Sequence, residues 1–352
     1  MPPETDKPIV AITMGDPGGV GPEIVVRALQ EERVWEACHP LVVGSRVVLE
    51  SAVEQFGGKR MQAVDDPAKA REPGEAIPLW DTGPVPAPGL VRGQPTPQSG
   101  RAAFRAIQEA ARLVIERKVA ALATAPVSKE AIESSGTPFS GHTDLLAKMT
   151  GGEAVMFLEC GPLRVAHVTA HVSLRRACDL VTKPRIEYVI RVTLGALEDM
   201  GVHKPRVGVA GLNPHAGEHG LFGTEEAQII APVIEALRAE GLGVEGPIPP
   251  DVVFALMRAG RYDAVIAMYH DQGHIPIKTV AFHLGPERHL AGVNVTLGLP
   301  IIRTSVDHGT AFDIAWQGQA DPQSMIEAIF FAARLAFARQ QKTLRRGPTS
   351  AT

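Results

Sequence analysis

The stretch YDAVIAMYHDQGHIPIKT, residues 262–279, carries the reading of the fold class. Its first half, Ala264 to Met268, is an apolar run rich in Val and Ile, the pattern of a strand covered on both faces. Its second half crowds His270, Asp271, His274 and Lys278 just past the strand's end. Ionisable groups packed this way are costly unless they meet a ligand, a metal or one another. In parallel α/β sheets, ligands gather at the carboxyl ends of the strands. The stretch therefore predicts an α/β protein with an active site at this edge, and it directs attention to other polar residues that close apolar runs.

The bulk composition sets limits on what that site serves. At 352 residues the chain is long enough for two domains with ample cores. A net charge of −4 and an aromatic content of 5% leave neither a basic footprint nor stacking platforms for nucleic acid. No apolar run reaches membrane length, and the start, MPPETDKP, is polar. The expectation is a cytoplasmic protein with no nucleic-acid or membrane partner. Cys38, Cys160 and Cys178 are odd in number and lack CxxC pairing, so they read as reduced thiols filling the core.

Outward from the opening stretch, strands and helices alternate, which argues for α/β layers with mostly parallel sheets. Pro8–Thr13 is an apolar strand feeding the loop Met14–Gly21 and a helix from Pro22 or Glu23. The loop lets backbone approach closely, yet it is neither GxGxxG nor a P-loop, and it serves equally well as a structural turn. Residues 73–97 are Pro/Gly-rich and read as an exposed connection. Ser99 is the expected cap of a long amphipathic helix reaching Lys118. Val119–Thr124 is a buried strand leading to Ser128-Lys129, and Ser140-Gly141-His142-Thr143-Asp144 opens another helix. Leu163–Thr169 is a strand that runs on to His171. Arg206–Leu212 is one that ends near His215. A single helix is expected from Thr224 to Ala239, and the last from Pro322 to Arg339, with a disordered tail from Gln340.

His171, His215 and His270 thus each lie within a few residues of a strand's end. On parallel neighbours their rings would share one edge, and three imidazoles leaving open positions make a common catalytic site for zinc or another divalent ion. The alternative is that each ring caps a turn or satisfies a carbonyl. Lys278, Arg303 and the pair His142-Thr143 add cations and donors suited to phosphate or carboxylate, and Asn294 adds an amide. Arg303 is placed here at the end of a strand formed by Ile301–Thr304.

With these residues assembled, the chain resembles the 4-hydroxythreonine-4-phosphate dehydrogenase (PdxA) family nearly end to end. The carriers are ITMGDPGGVGPEI, SGHTDLLA, VTAHVSLR around His171, GLNPHAGEHGLFGTEE, MYHDQGHIPIK and NVTLGLPIIRTSVDHGTAFDIA. The resemblance implies a homodimer with its active site at the interface, and a divalent metal (Zn2+, Mg2+, Co2+ or Mn2+) on His171, His215 and His270. It implies substrate contacts at His142, Thr143, Lys278, Asn294 and Arg303, and carboxylates near the site at Asp251 and Asp271. It also implies two α/β/α layered domains with a cleft between them, like isocitrate and isopropylmalate dehydrogenases and unlike a Rossmann fold. An outer domain would take residues 1–125 and 295–352 with the cofactor loop. A middle domain, 126–294, would carry the metal ligands and dimer contacts.

The segment Asp307–Ala315 is similar to the adenosine loop of that wider group, which places His308, Gly309, Thr310, Ala311 and Asp313 on a nicotinamide cofactor. Asp313 would accept ribose hydroxyls and repel a 2′-phosphate, which favours NAD over NADP. The activity implied is metal-assisted oxidation of 4-hydroxythreonine 4-phosphate to a β-keto acid that loses CO2, giving 3-amino-2-oxopropyl phosphate in pyridoxine biosynthesis. Lys278 is then the candidate acid/base, with Asp251 and Asp271 linked to the metal or orienting its ligands. His274 and the longer segment Phe282–Ala291, with Glu287, Arg288 and His289, depart from the family's usual pattern. HDQGHIPIK and GTAFDIAW instead resemble a paralogous branch acting on D-threonate or D-erythronate 4-phosphate, more distantly on aromatic cis-dihydrodiol dicarboxylates. The competing classes are a phosphate or acyl-phosphate transferase on a related scaffold, which has no use for an adenosine loop, and a sensor that lost turnover.

Overall fold

The computed structural model describes residues 7–72, 74–85, 90–281 and 292–346. The chain forms two compact units, Met1–Ala154 with Leu299–Thr352, and Val155–Gly298. In chain order the strands are β1 (Ile9–Thr13), β2 (His39–Gly44), β3 (Met61–Ala63), β4 (Ile77–Asp81), β5 (Ala121–Thr124), β6 (Val155–Cys160), β7 (Leu163–His167), β8 (Val207–Ala210), β9 (Val244–Ile248), β10 (Ala264–Ala267), β11 (Gly292–Leu297) and β12 (Arg303–Val306).

The first unit arranges its strands β3-β4-β2-β1-β5-β12, all parallel. Every residue of β1, β5 and β12 is buried, as strands covered on both faces require. Ile9, Ala11, Leu41, Val43, Leu113 and Leu122 pack in one cluster. Leu146 belongs to that cluster, and Ile132 and Phe139 pack with Ile107 in another. Residues 126–154, which sequence alone assigned to the middle domain, therefore share the first unit's core.

The second unit orders its strands β11-β6-β7-β10-β8-β9. β7, β10, β8 and β9 run parallel, while β6 is antiparallel to both β7 and β11. Gly161, at φ +55, turns the β6–β7 hairpin. Leu158, Leu163, Val165, Val265 and Ile277 lie in one core cluster.

Several local expectations change. The long helix spans Pro97–Ile115 and is capped by Thr96, whose hydroxyl accepts from the Ser99 amide while the Ser99 hydroxyl answers the Thr96 amide. Pro97 follows the cap because the first helical position needs no N–H. The 73–97 connection contains β4, with Ile77 and Leu79 buried. β9, with Pro247 in it, lies at the sheet edge, where a missing donor is tolerated. The helix expected from Thr224 is divided into a π-turn, Glu226–Ile230, and an α-helix, Ala231–Ala239. Pro232, lacking an N–H, stands where the α-ladder would continue. The last helix runs Gln323–Arg346, well past Gln340. All three cysteines are free. Cys38 and Cys160 are buried, but Cys178 is exposed and fills no core. Among the described residues no helix is long and apolar enough to cross a membrane.

Candidate active site

β10 ends at Ala267 and a helix, His270–Ala281, begins three residues later. His270, His274 and Lys278 recur on it every four residues, so they share one face. The His274 ring stacks on His270 with centroids 3.6 Å apart and planes 13° off parallel. His274 Nδ1 donates to the His270 carbonyl at 3.0 Å. His171 approaches from the neighbouring strand's extension, where the Val168 and Thr169 amides donate to the Ala267 and Met268 carbonyls. Its ring centroid lies 5.5 Å from that of His270. The predicted convergence of these two strand ends is present.

His270 Nδ1 meets Asp271 Oδ1 at 2.6 Å. This carboxylate–imidazole bond leaves Nε2 as the lone-pair nitrogen, the arrangement a metal ligand needs. Behind the pair, burial first and the crowding of neighbouring imidazoles second push His274 and the buried His167 down to about 4 and about 3, so both are neutral. His167 Nδ1 donates to the Met156 carbonyl, and its Nε2 faces Gly273, where any side chain would collide with it. A cavity of about 320 Å3 opens beside His171 and His270, lined also by Ser173, Ala177, Tyr269 and Asp271. A larger one, about 640 Å3, lies in the first unit among Arg71, Arg117, Ile302 and Arg339. It sits at the amino ends of β1, β5 and β12, and no candidate residue lines it, although Arg303 follows directly on Ile302, so volume alone does not locate the chemistry.

His215 is placed differently. It follows β8 in the segment Pro214–Gly220, where His215, Ala216, Gly217, Glu218 and His219 all have φ between 42 and 82. Left-handed backbone costs roughly 1–2 kcal/mol for each residue with a side chain, so surrounding contacts must hold it. Its ring lies 6.2 Å from Phe222. Among the described residues no three of His, Cys, Asp or Glu are gathered to hold a metal ion. His171 and His270 fit a shared ion by their spacing and by the tautomer of His270; His215 is not drawn in with them.

Two residues that sequence reasoning passed over set this geometry. Buried Glu226 accepts from the Leu212 and Asn213 amides at 2.8 and 2.7 Å with Oε1, and from Asn213 Nδ2 at 3.0 Å with Oε2. It clamps the start of the left-handed turn. Buried Gln272 accepts from the Met268 amide at 2.7 Å and donates to the Gly211 carbonyl at 2.8 Å, tying the His270 helix to β10 and β8. The only local signal for either was an amide or acid within a block of otherwise recognisable site residues.

Lys278, half-buried, is two turns beyond His270 on the same helix face. Asp251 is exposed in the first turn of the helix Pro250–Arg258, which packs against the His215 segment. Asn294, half-buried on β11, stands opposite Leu158 of β6. The segment Phe282–Ala291 lies outside the described residues.

In the first unit Arg303 opens β12 rather than closing a strand. Arg303 is 4% exposed, and its guanidinium donates to Thr124 Oγ1 at 2.8 and 3.2 Å. Burial lowers its pKa to about 9. His142 and Thr143 begin the helix His142–Thr150. His142 Nε2 is buried and has no hydrogen-bond partner among the described residues. Burial, then the charges of Arg303 and Lys129, hold the imidazole well below its usual value and therefore neutral.

The 307–316 segment rests on the loop after β1. The Val20 amide donates to the Thr310 carbonyl at 2.9 Å and Trp316 Nε1 to the Pro17 carbonyl at 2.9 Å. A Cβ on Gly19 would stand 2.8 Å from the Thr310 oxygen, so glycine is required there. Residues 14–20 are buried throughout. Their close approach is to the protein's own backbone. His308, Gly309, Thr310, Ala311 and Asp313 lie together on the segment above, with Gly309 and Asp313 exposed.

Comparison with known proteins places the chain in a family. The sequence profile of the pyridoxal phosphate biosynthetic protein PdxA matches residues 36–332. The D-threonate 4-phosphate dehydrogenase of Cupriavidus necator is 46% identical over 335 residues, covering 94% of this chain and 98% of that protein. The 4-hydroxythreonine-4-phosphate dehydrogenase of Geobacter metallireducens is 46% identical over 332 residues, covering 94% and 96%. The crystal structure of a 4-hydroxythreonine-4-phosphate dehydrogenase from Klebsiella pneumoniae superposes with a TM-score of 0.81 at 45% identity, covering 94% of this chain and 98% of that one. Fold and relatives together define an α/β enzyme of the dehydrogenase class. The chain belongs to the pyridoxal phosphate biosynthetic protein PdxA family.

Proposed function

We propose that the chain oxidises 4-hydroxythreonine 4-phosphate, or a close phosphorylated four-carbon hydroxy acid, to a β-keto acid that decarboxylates. What carries the reading is identity of 46% along nearly the whole chain to dehydrogenases named for two such phosphorylated acids. The same pair of relatives favours a second reading, D-threonate 4-phosphate, which differs by a hydroxyl in place of the amino group.

In this reading His171 and His270, with His215 brought in as the third ligand, would hold a divalent ion whose chemistry would be Lewis-acid polarisation of the substrate oxygen, and NAD would be the hydride acceptor. Asp271 holds the His270 ring in the tautomer that presents Nε2. Lys278 moves the hydroxyl proton at Nζ and stabilises the enolate left by CO2 loss, with Asp251 an orienting carboxylate. His142, Thr143 and Arg303 hold the phosphoryl group, and Asn294 donates an amide to the substrate. His308 to Ala311 take the adenosine, and exposed Asp313 accepts its ribose hydroxyls, which disfavours NADP.

A homodimer completes the proposal. Leu174, Leu221, Phe222 and Ile275 of the second unit are exposed, and apolar groups of this size on a soluble surface favour a partner.

The test is NADH formation from NAD with each of the two phosphorylated acids, in Mg2+, Co2+ or Zn2+ and after chelation. Turnover of one or both, abolished by chelator and restored by metal, is expected. Silence with every phosphorylated four-carbon acid under every metal removes the proposal.

A further inference from the structure

The His142–Thr150 helix begins at Gly141, which has no side chain to cap it, and no other side chain does so. Its first-turn amides are left for a ligand or water. Gly141 sits at φ 149, ψ 168, a conformation open in practice to glycine alone. Lys129 occupies the space beside it: Nζ lies 3.8 Å, and Cε 3.7 Å, from where a Gly141 Cβ would stand. Ser128 caps the short helix Lys129–Ser134, its hydroxyl accepting from the Ala131 amide at 3.1 Å, which fixes the backbone from which the exposed Lys129 side chain reaches this point.

This placement is unfavourable on its own. An ammonium at the amino end of a helix opposes the helix dipole. No carboxylate pairs with Lys129 among the described residues. Arg303 adds a second, buried positive charge within electrostatic reach of the same imidazole, His142. The buried His142 Nε2, which both charges influence, has no hydrogen-bond partner among the described residues. Two cations, an uncapped helix start and an orphaned imidazole nitrogen become mutually favourable once an anion sits among them.

We infer that Lys129 is a further substrate-binding residue, which with His142, Thr143 and Arg303 holds a dianionic phosphoryl group at the start of the His142–Thr150 helix. The inference rests on the phosphate-binding role proposed above and adds the group that sets its charge preference. Arg303 alone matches a carboxylate's single charge; the ammonium of Lys129 matches the second charge of a phosphate monoester.

Inorganic phosphate is the probe. Calorimetric titration into wild type, Lys129→Ala and Lys129→Arg is expected to show affinity about tenfold weaker in the alanine variant and partly restored in the arginine variant. KM for the phosphorylated substrate should rise by a similar factor, more than kcat falls. The imidazole C–H resonances of His142 give a readout that a merely structural lysine would not move. Their titration should shift to higher pH in Lys129→Ala, where one repelling charge is gone, and in wild type with phosphate bound. Equal phosphate affinity in wild type and Lys129→Ala, or no phosphate binding by wild type, overturns the inference. Phosphate binding that depends on Lys129 without turnover of any phosphorylated acid would instead fail the proposed reaction and leave the anion site standing.

Discussion

Asp16, in the loop after β1, is fully buried: Oδ1 accepts from the Gly18 amide at 2.9 Å, and among the described residues Oδ2 makes no hydrogen bond close enough to offset its burial, Ser99 and Ser128 easing it only in part. Burial raises its carboxyl from 3.8 to about 6. Between those values the folded chain holds a proton that the unfolded chain releases. The stability from this group is therefore full below about pH 4 and is lost as pH rises through about 6. The loss is on the order of 3 kcal/mol. Asp16→Asn removes that dependence, so urea unfolding at a series of pH values should show the variant gaining on wild type from pH 4 to pH 7. A constant difference across that range would mean that Asp16 is not protonated in the fold. At this scale the sequence showed which histidines close strands, because strand ends are marked by local pattern. It did not show that His274 stacks on His270 or that His167 backs them, since both face the interior from elements whose pairing is not local.

The helix His270–Ala281 was invisible in a stretch containing Gly273 and Pro276, both poor helix formers. It forms because Gln272 ties its first turn to two strands and Ile277 is buried in the core beneath it. Tertiary contacts override propensity here. The left-handed turn of His215 depends in the same way on Glu226. Glu226→Ala leaves the Leu212 and Asn213 amides without their acceptor and should lower stability by roughly 2–4 kcal/mol in denaturant unfolding. If His215 is the third ligand of the proposed ion, calorimetry with Co2+ should also show weaker metal binding. Unchanged affinity would separate His215 from the metal site. The caps were half-legible. Thr96 and Ser99 both appear in the sequence, but which of them precedes the first turn depends on Pro97 taking the first helical position.

The exposed apolar residues of the second unit bear on the whole molecule. Leu221 is 72% exposed and Ile275 64%. Leu221→Glu combined with Ile275→Glu is expected to turn the proposed homodimer into a monomer in light scattering while the far-ultraviolet circular dichroism stays that of wild type. A double variant that still dimerises would place the interface elsewhere. The alternating strands and helices, the family's blocks and the edge on which polar residues collect were all readable from the chain, because each is written within a few neighbouring residues as period, punctuation or motif. Membership of residues 126–154 in the first core, the union of Thr124 with Arg303, and the ties from Gln272 to Gly211 and Glu226 to Asn213 emerged only on folding. Such partnerships join groups far apart along the polypeptide or on separate elements. They are selected by which buried polar atoms can satisfy one another once the strands have paired, and no local pattern encodes that choice.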